Sequence, residues 1–158
     1  MKSIGQSIVM CLATVLFTGC ASLPPAAERV PTVAIDNTSG TTLGRAIEPL
    51  VNEHSGLSGF YALKEGIEAY AARLLLVQNA DKSLDLQYYI WKDDLTGKTL
   101  LTQVLAAADR GVRVRLLLDD LDTTNEDDLL HVLDAHPNIE IRLFNPFANR
   151  GNRLLDFV

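Results

Sequence analysis

The sequence has few cysteines, a shortage of basic residues and no apolar run long enough to cross a bilayer as a helix. It has 158 residues, of which two are cysteines, and 14 basic against 20 acidic residues give a formal charge of −6. Since phosphate contacts need clustered lysine and arginine, this balance argues against nucleic acid as the main partner. A transmembrane helix needs roughly 20 consecutive apolar residues. The remaining composition, 47% hydrophobic and 22% charged, is typical of one globular domain with a core.

The first twenty residues have the pattern of an export signal. Lys2 precedes an apolar run over residues 8–17, which matches the charged and apolar regions of a signal peptide. The segment ends in the letters TGC, and this ending resembles the lipobox of bacterial lipoproteins, whose cysteine becomes the acylated N-terminus. Ala21 resembles the sorting pattern for the outer membrane of Gram-negative bacteria. We therefore expect lipid attachment at Cys20 and a periplasm-facing location on the outer membrane. An ordinary signal peptide with an incidental cysteine is the alternative.

Cysteine usage agrees with this interpretation. Cys11 lies inside the leader and would leave with it, so a processed chain would hold Cys20 alone and no internal disulfide. Lipidation would also remove a thiol from an oxidising compartment. We expect a signal peptide over 1–19, a membrane tether with three prolines over 20–41, and a folded domain over 42–158.

Hydrophobic periodicity predicts alternating helices and strands from residue 42 onward. The pattern predicts a short helix over Thr42–His54, interrupted or ended near Pro49, and a short strand over Phe60–Leu63. Next come a helix over 64–80, a strand over 82–91, a helix over 98–111, a strand over 112–120, a helix over 123–137 and a strand over 138–147. Strands that alternate with helices indicate right-handed crossovers, and so an α/β fold with a mostly parallel sheet and flanking helices.

Local signals mark the ends of two of these helices. Gly111 stands where a helix C-terminus needs a left-handed residue. Thr123 and Glu126 have the spacing of a capping box at the start of the following helix, and Pro137 is expected to end that helix.

Acidic residues follow the third predicted strand. In open parallel sheets, ligands gather beyond the carboxyl ends of the strands, here Lys92–Asp94, Asp119–Asp122 and Asn145 onward. Asp120 and Asp122 form a D-x-D-x-T pattern that resembles the first motif of haloacid-dehalogenase-type phosphatases, in which one aspartate attacks phosphorus and carboxylates hold Mg²⁺. Helix capping is the other interpretation of the same acids.

Four pieces of sequence occur in a characteristic order, namely LDLQYYIW, the D-x-x-G at Asp94–Gly97, AADRGVRVRLLLDD and RLFNPF. Together they resemble the opening half-domain of phospholipase D superfamily proteins, in particular the bacterial lipoproteins of the cardiolipin synthase type, over residues 57–147. The resemblance implies a phospholipid substrate similar to phosphatidylglycerol and a membrane setting. It implies no metal and no other cofactor.

The chemistry that the resemblance implies rests on two H-x-K-x-x-x-x-D motifs, one in each half of a pseudo-twofold domain. One histidine attacks the phosphodiester phosphorus to form a phosphohistidine, and the other protonates the leaving alcohol and then activates the acceptor. The lysines hold the phosphoryl oxygens. Water as the acceptor gives a phospholipase D, and a lipid hydroxyl gives a cardiolipin synthase.

This sequence contains no H-x-K. None of His54, His131 and His136 has a lysine two positions further on, so we expect surface or structural roles for all three. In the family, the first motif follows the RLFNPF strand and an arginine-bearing loop, which residues 148–158 resemble. We therefore expect an N-terminal fragment of a longer protein that holds no catalytic residue.

The final loop carries Arg150 and Arg153, which are candidate contacts for an anionic head group. Two other functions stay open from the sequence. One is a non-catalytic, membrane-tethered α/β lipoprotein module, and the other is the Mg²⁺-dependent phosphatase.

Overall fold

The computed structural model describes residues 30–123 and 126–148, except for the side chain of Asp122. Two helices come first, α1 over Thr42–Glu53 and α2 over Gly66–Gln78. The remaining elements alternate in order along the chain: β1 Ser83–Tyr88, α3 Leu95–Asp109, β2 Arg113–Asp119, a 3₁₀ turn Asp120–Asp122, α4 Asp127–Asp134 and β3 Ile139–Phe144.

The three strands form one parallel sheet in the order β1-β2-β3, which confirms the predicted α/β class. Alternation along β2 places Val114, Leu116 and Leu118 on the face that packs against helices α3 and α4, and all three are buried. The core continues into α3 through Val104 and Ala108. Because successive side chains of a strand point to opposite faces, the register that buries this face sends charged residues to the other.

The outer face of the sheet is polar across all three strands. Arg115 in β2 and Asp85 in β1 are register partners, and they form a bidentate ion pair with Nε–Oδ1 of 2.5 Å and Nη2–Oδ2 of 2.7 Å. Arg142 and Glu140 of β3 form a second ion pair on this face. This face of the sheet is therefore mainly polar, although Leu117 and Phe144 also lie on it.

A strap crosses this polar face. We use the name N-terminal strap for residues 30–41, which have no helix or strand. Arg115 Nη1 donates to the carbonyl oxygen of Thr32 at 3.1 Å and to its hydroxyl at 3.3 Å. Lys82 Nζ donates to the Asn37 carbonyl, and Asp81 accepts from the backbone N–H at the start of α1. This described part of the predicted tether is thus bound to the domain at both of its ends.

Pro49 does not interrupt or end α1, which runs through it to Glu53, so that expectation is wrong. A proline inside a helix removes one donor, here the N–H that would bond to the Arg45 carbonyl. Helix α1 has no buried residue, so that carbonyl can bond to water instead.

The predicted strand over Phe60–Leu63 is also wrong. These residues form no strand, and the Phe60 side chain is 96% exposed. A short apolar run becomes a strand when a neighbouring strand supplies hydrogen-bond partners. In the described chain, none of the three strands of the sheet pairs with residues 60–63.

The capping box at Thr123 is the third correction. Helix α4 begins one residue after Glu126, whose side chain makes no capping hydrogen bond. The backbone N–H of Glu126 bonds to the Thr123 carbonyl at 3.1 Å rather than to the Thr123 hydroxyl, which itself donates to Asp120 Oδ1 at 2.7 Å. The helix then ends at Asp134, three residues before Pro137. Gly111, by contrast, has φ of 91° after α3, as predicted.

Candidate functional site

The loop after β1 is organised by the carboxylate of Asp94. Its Oδ1 accepts from the backbone N–H groups of Thr96 and Gly97, each at 2.9 Å, and from the Thr96 hydroxyl at 2.6 Å. The Thr96 side chain and then the Gly97 amide hold the pKa of Asp94 below its usual range. Asp94 is therefore the N-cap of α3, a role that satisfies amide groups that the helix itself leaves without acceptors.

Gly97 completes the D-x-x-G piece for a steric reason. A Cβ at this position would lie 1.9 Å from the carbonyl oxygen of Lys92. Only a residue without a side chain allows the loop to fold back this closely on the first turn of α3. The D-x-x-G spacing thus builds the loop that carries Lys92.

Two clefts adjoin this loop at the carboxyl end of the sheet. The first, which we call the cationic cleft, has a volume of about 340 Å³. Its lining combines aromatic rings, two cations and the start of α3: Tyr70, Arg73, Tyr88, Ile90, Trp91, Lys92, Asp94, Thr96, Gly97 and Leu100.

Hydrogen bonds and ring contacts fix the aromatic side of the cationic cleft. The Tyr70 hydroxyl donates to the Thr96 carbonyl at 2.9 Å. The rings of Tyr88 and Trp91 meet edge to face, with centroids 4.9 Å apart and planes at 78°. Burial raises the pKa of Tyr88, so its phenol keeps its proton and can donate at neutral pH.

The second cleft, the apolar cleft, lies between α3 and α4 above β2 and has a volume of about 370 Å³. Leucines from all three elements line it, with polar side chains at the margin: Trp91, Lys92, Asp93, Lys98, Leu101, Thr102, Leu116, Leu118, Thr123, Glu126, Leu129, Leu130 and Leu133. Trp91 and Lys92 line both clefts, so the two share a wall.

The acids after β2 are arranged for structure. Asp120 is fully buried and accepts from Thr123, while Asp119 Oδ1 accepts from the Leu121 amide at 2.8 Å. No group of three or more potential metal ligands occurs within residues 30–123 and 126–148. Asp120, the first acid of the D-x-D-x-T pattern, is therefore buried and bonded within the turn, whereas the side chain of Asp122, the second acid, lies outside the described residues.

The three histidines lie on separate elements. His54 follows α1 and is exposed, and His131 is an exposed residue of α4. His136 lies after that helix, where Nε2 is 3.2 Å from Asp109 Oδ1 and Nδ1 accepts from the Asn138 amide at 3.1 Å. His54 lies at the surface and His136 makes local structural contacts, as predicted, whereas the predicted structural role of His131 stays a prediction; the structure does not bring the three together.

The other predicted site residues, Cys20, Arg150 and Arg153, lie outside the described residues, so their roles stay predictions. Sequence reasoning missed both clefts. A signal for the cationic cleft was present, since Tyr70 and Arg73 are three apart on a predicted helix and therefore share a face.

No protein-family model matches the chain. However, the chain is 51% identical to cardiolipin synthase C of Escherichia coli (strain K12) over 116 residues. The matched segment covers 73% of this chain and 24% of that protein. The chain is related to the cardiolipin synthases. Cardiolipin synthase B of the same strain is 32% identical over 85 residues, which is 53% of this chain and 20% of that protein. This relationship confirms the phospholipase D-like resemblance seen in the sequence.

An uncharacterized protein of Helicobacter pylori (strain J99) is 32% identical over 155 residues, or 95% of this chain and 30% of that protein. The chain therefore spans between 20% and 30% of the length of these curated relatives. Among solved structures, the archaeal chromatin protein TrmBL2 matches with a TM-score of 0.43 and 17% identity over 66% of this chain and 42% of that chain, a likeness too weak to carry an argument. None of the helices described here is both long and apolar enough to span a membrane.

Proposed function

We propose that this chain is the opening part of a membrane-anchored phosphatidyltransferase of the phospholipase D-like type, which acts on a phospholipid similar to phosphatidylglycerol. The observation that carries the proposal is the 51% identity over 116 residues to cardiolipin synthase C. The parallel sheet supports it, because the resemblance implies an α/β half-domain of this kind.

In this proposal the domain is a scaffold, and the histidines that react lie elsewhere in the protein. The 158 residues contain no H-x-K, and the chain spans 24% of the length of cardiolipin synthase C. The phosphohistidine, the acid–base histidine and the choice between water and a lipid hydroxyl as acceptor would belong to the remainder. Arg150 and Arg153 would approach the anionic head group.

The proposed anchor is a lipid on Cys20, which would hold the domain on the periplasmic side of the outer membrane. The leader over residues 1–19 supports it, since a short apolar run and a small-residue ending precede the cysteine. Two or three acyl chains would give stable attachment, because each buried CH₂ contributes about 0.8 kcal/mol.

The test begins with the nucleotide sequence beyond the codon for Val158. An H-x-K-x-x-x-x-D motif soon downstream, in any frame, is the expected result. The extended protein should then form cardiolipin from phosphatidylglycerol in the presence of EDTA, and a variant with alanine at the new histidine should not. A stop followed by unrelated sequence, together with an inactive product, would favour the non-catalytic lipoprotein module.

A further inference from the structure

The two clefts at the carboxyl end of β1 have complementary chemistry. The cationic cleft offers the guanidinium of Arg73 and the phenol hydroxyl of Tyr88, whereas the apolar cleft is floored by buried leucines of β2. Trp91 and Lys92 stand between them as a common wall. An anion beside a hydrocarbon chain is the chemistry that fits this pairing.

Charge favours an anion in the cationic cleft. Arg73 is exposed, and no acidic partner for it occurs within residues 30–123 and 126–148. Asp94 is the one carboxylate in the lining, and the cap of α3 already occupies its Oδ1 with three donors. A guanidinium and the Tyr88 phenol, which can donate, are a suitable set for phosphate oxygens.

Size favours one hydrocarbon chain in the apolar cleft. Its volume of about 370 Å³ is at the low end of the range of roughly 300–1,000 Å³ that small-molecule pockets cover. Leu101, Leu116 and Leu129 bring apolar walls from three different elements. Polar groups stand at the margin, where Lys98 and Asp93 pair with each other at 3.2 Å and so leave no net charge.

We propose that these clefts together form a binding site for a single-chain phosphate amphiphile taken up as a monomer, with its phosphate at Arg73 and its chain between α3 and α4. The site is non-catalytic. It stands apart from the proposed function, which assigns no residue of the described chain to lipid contact. Because binding is measured without turnover, either proposal can fail while the other holds.

Trp91 makes the site observable. It is the one tryptophan in the 158 residues, and it lies in the wall that both clefts share. Dodecyl phosphate, added to the full chain below its own aggregation concentration, should change the Trp91 emission in a saturable way. Dodecyl maltoside has the same chain without the charge, and inorganic phosphate has the charge without the chain, so each should bind at least about tenfold more weakly.

Two variants test the two halves of the site. Arg73→Gln should weaken dodecyl phosphate binding by about tenfold through the loss of a charge-assisted contact. Leu129→Gln, at a cleft position that is 40% exposed and so tolerant of a polar side chain, should weaken it by about fivefold. Arg142→Gln is the matched control, because Arg142 pairs with Glu140 on the opposite face of the sheet, and its affinity should equal that of the wild type.

Several results would overturn the proposal. If dodecyl maltoside bound as tightly as dodecyl phosphate, the phosphate would not contribute to binding. If inorganic phosphate bound as tightly as dodecyl phosphate, the hydrocarbon chain would not contribute. Unchanged affinity in Arg73→Gln, with a native circular dichroism spectrum, would reject the assignment of the cation. A Trp91 response to phosphatidylglycerol vesicles but none to monomeric dodecyl phosphate would show a membrane surface contact in place of a monomer site.

Discussion

The carbonyl oxygen of Lys92 lies directly over the bare Cα of Gly97, 1.9 Å from where a Cβ would stand. The contact joins the loop after β1 to the first turn of α3, the same turn that Asp94 caps. Position 97 is therefore closed to every side chain unless the loop moves.

Gly97→Ala should lower the free energy of unfolding by about 2–3 kcal/mol, because the added methyl group overpacks a contact with rigid backbone. The urea midpoint of the purified chain measures this effect. Gly59→Ala is the control, since a Cβ there would have no heavy atom within 4 Å. Equal urea midpoints for the two variants would mean that the loop can move away from the added methyl group with little loss in the free energy of unfolding.

The ion pair between Asp85 and Arg115 predicts a pH dependence. The hydrogen bonds from Arg115 lower the pKa of Asp85 in the folded state. The stabilisation is therefore complete above the unfolded-state pKa of about 3.9, and it is lost as the pH falls through the lower pKa of the folded chain. Since the carboxylate is 45% exposed, the effect should be small, within about 1 kcal/mol.

Urea midpoints at pH 6 and pH 3 test this dependence in Asp85→Asn and in the wild type. The variant should be less stable at pH 6 and should lose less stability on acidification. Asp36→Asn, which changes an exposed carboxylate in the strap, should follow the wild-type profile. A variant profile parallel to that of the wild type would show that the ion pair does not contribute.

The 158 residues alone should not hydrolyse phosphatidylglycerol or transfer its phosphatidyl group. The mechanism needs a histidine nucleophile and a second histidine as acid and base, and such positioned acid–base groups typically contribute about 10²–10⁴-fold. The assay uses the purified chain with and without EDTA. Turnover that survives EDTA and disappears in a His54, His131 or His136 variant would contradict the prediction.

Cys20→Ala should release the protein from the membrane fraction, because the mutation removes the only proposed site of acylation. Membrane fractionation and incorporation of a labelled fatty acid into the wild type measure this. Identical fractionation of the two proteins, with no label in the wild type, would refute the lipoprotein interpretation.

The sheet and the crossover helices could be predicted because their signals are local. Alternating Leu84 and Leu86 mark β1, and Gly111 marks the end of α3 where a left-handed residue is required. The strand at Phe60 failed because pairing with a neighbour decides whether a short apolar run becomes a strand.

The site was harder to predict for the same reason. The D-x-x-G piece was visible in the sequence, but the reason for its glycine was not. Position 97 needs a glycine because the Lys92 carbonyl approaches it closely, which only the structure shows. The capping box at Thr123 failed because the chain makes a 3₁₀ turn over Asp120–Asp122 before α4, and the Glu126 N–H then bonds to the Thr123 carbonyl in place of its hydroxyl. The two clefts could not be predicted because each is formed by residues from several helices and strands, whose packing is not visible in any one segment of the sequence.

The contacts of the N-terminal strap determine where a force applied at residue 30 would enter the domain. A pull on the chain at residue 30 would load the contact between Thr32 and Arg115 first, and the force would pass through that guanidinium into β1 and β2. The bond from Lys82 to the Asn37 carbonyl would bear the load next, before α1 felt any tension. A force applied at residue 30 would thus be borne first by side-chain contacts on the polar face of the sheet, before it reached helix α1.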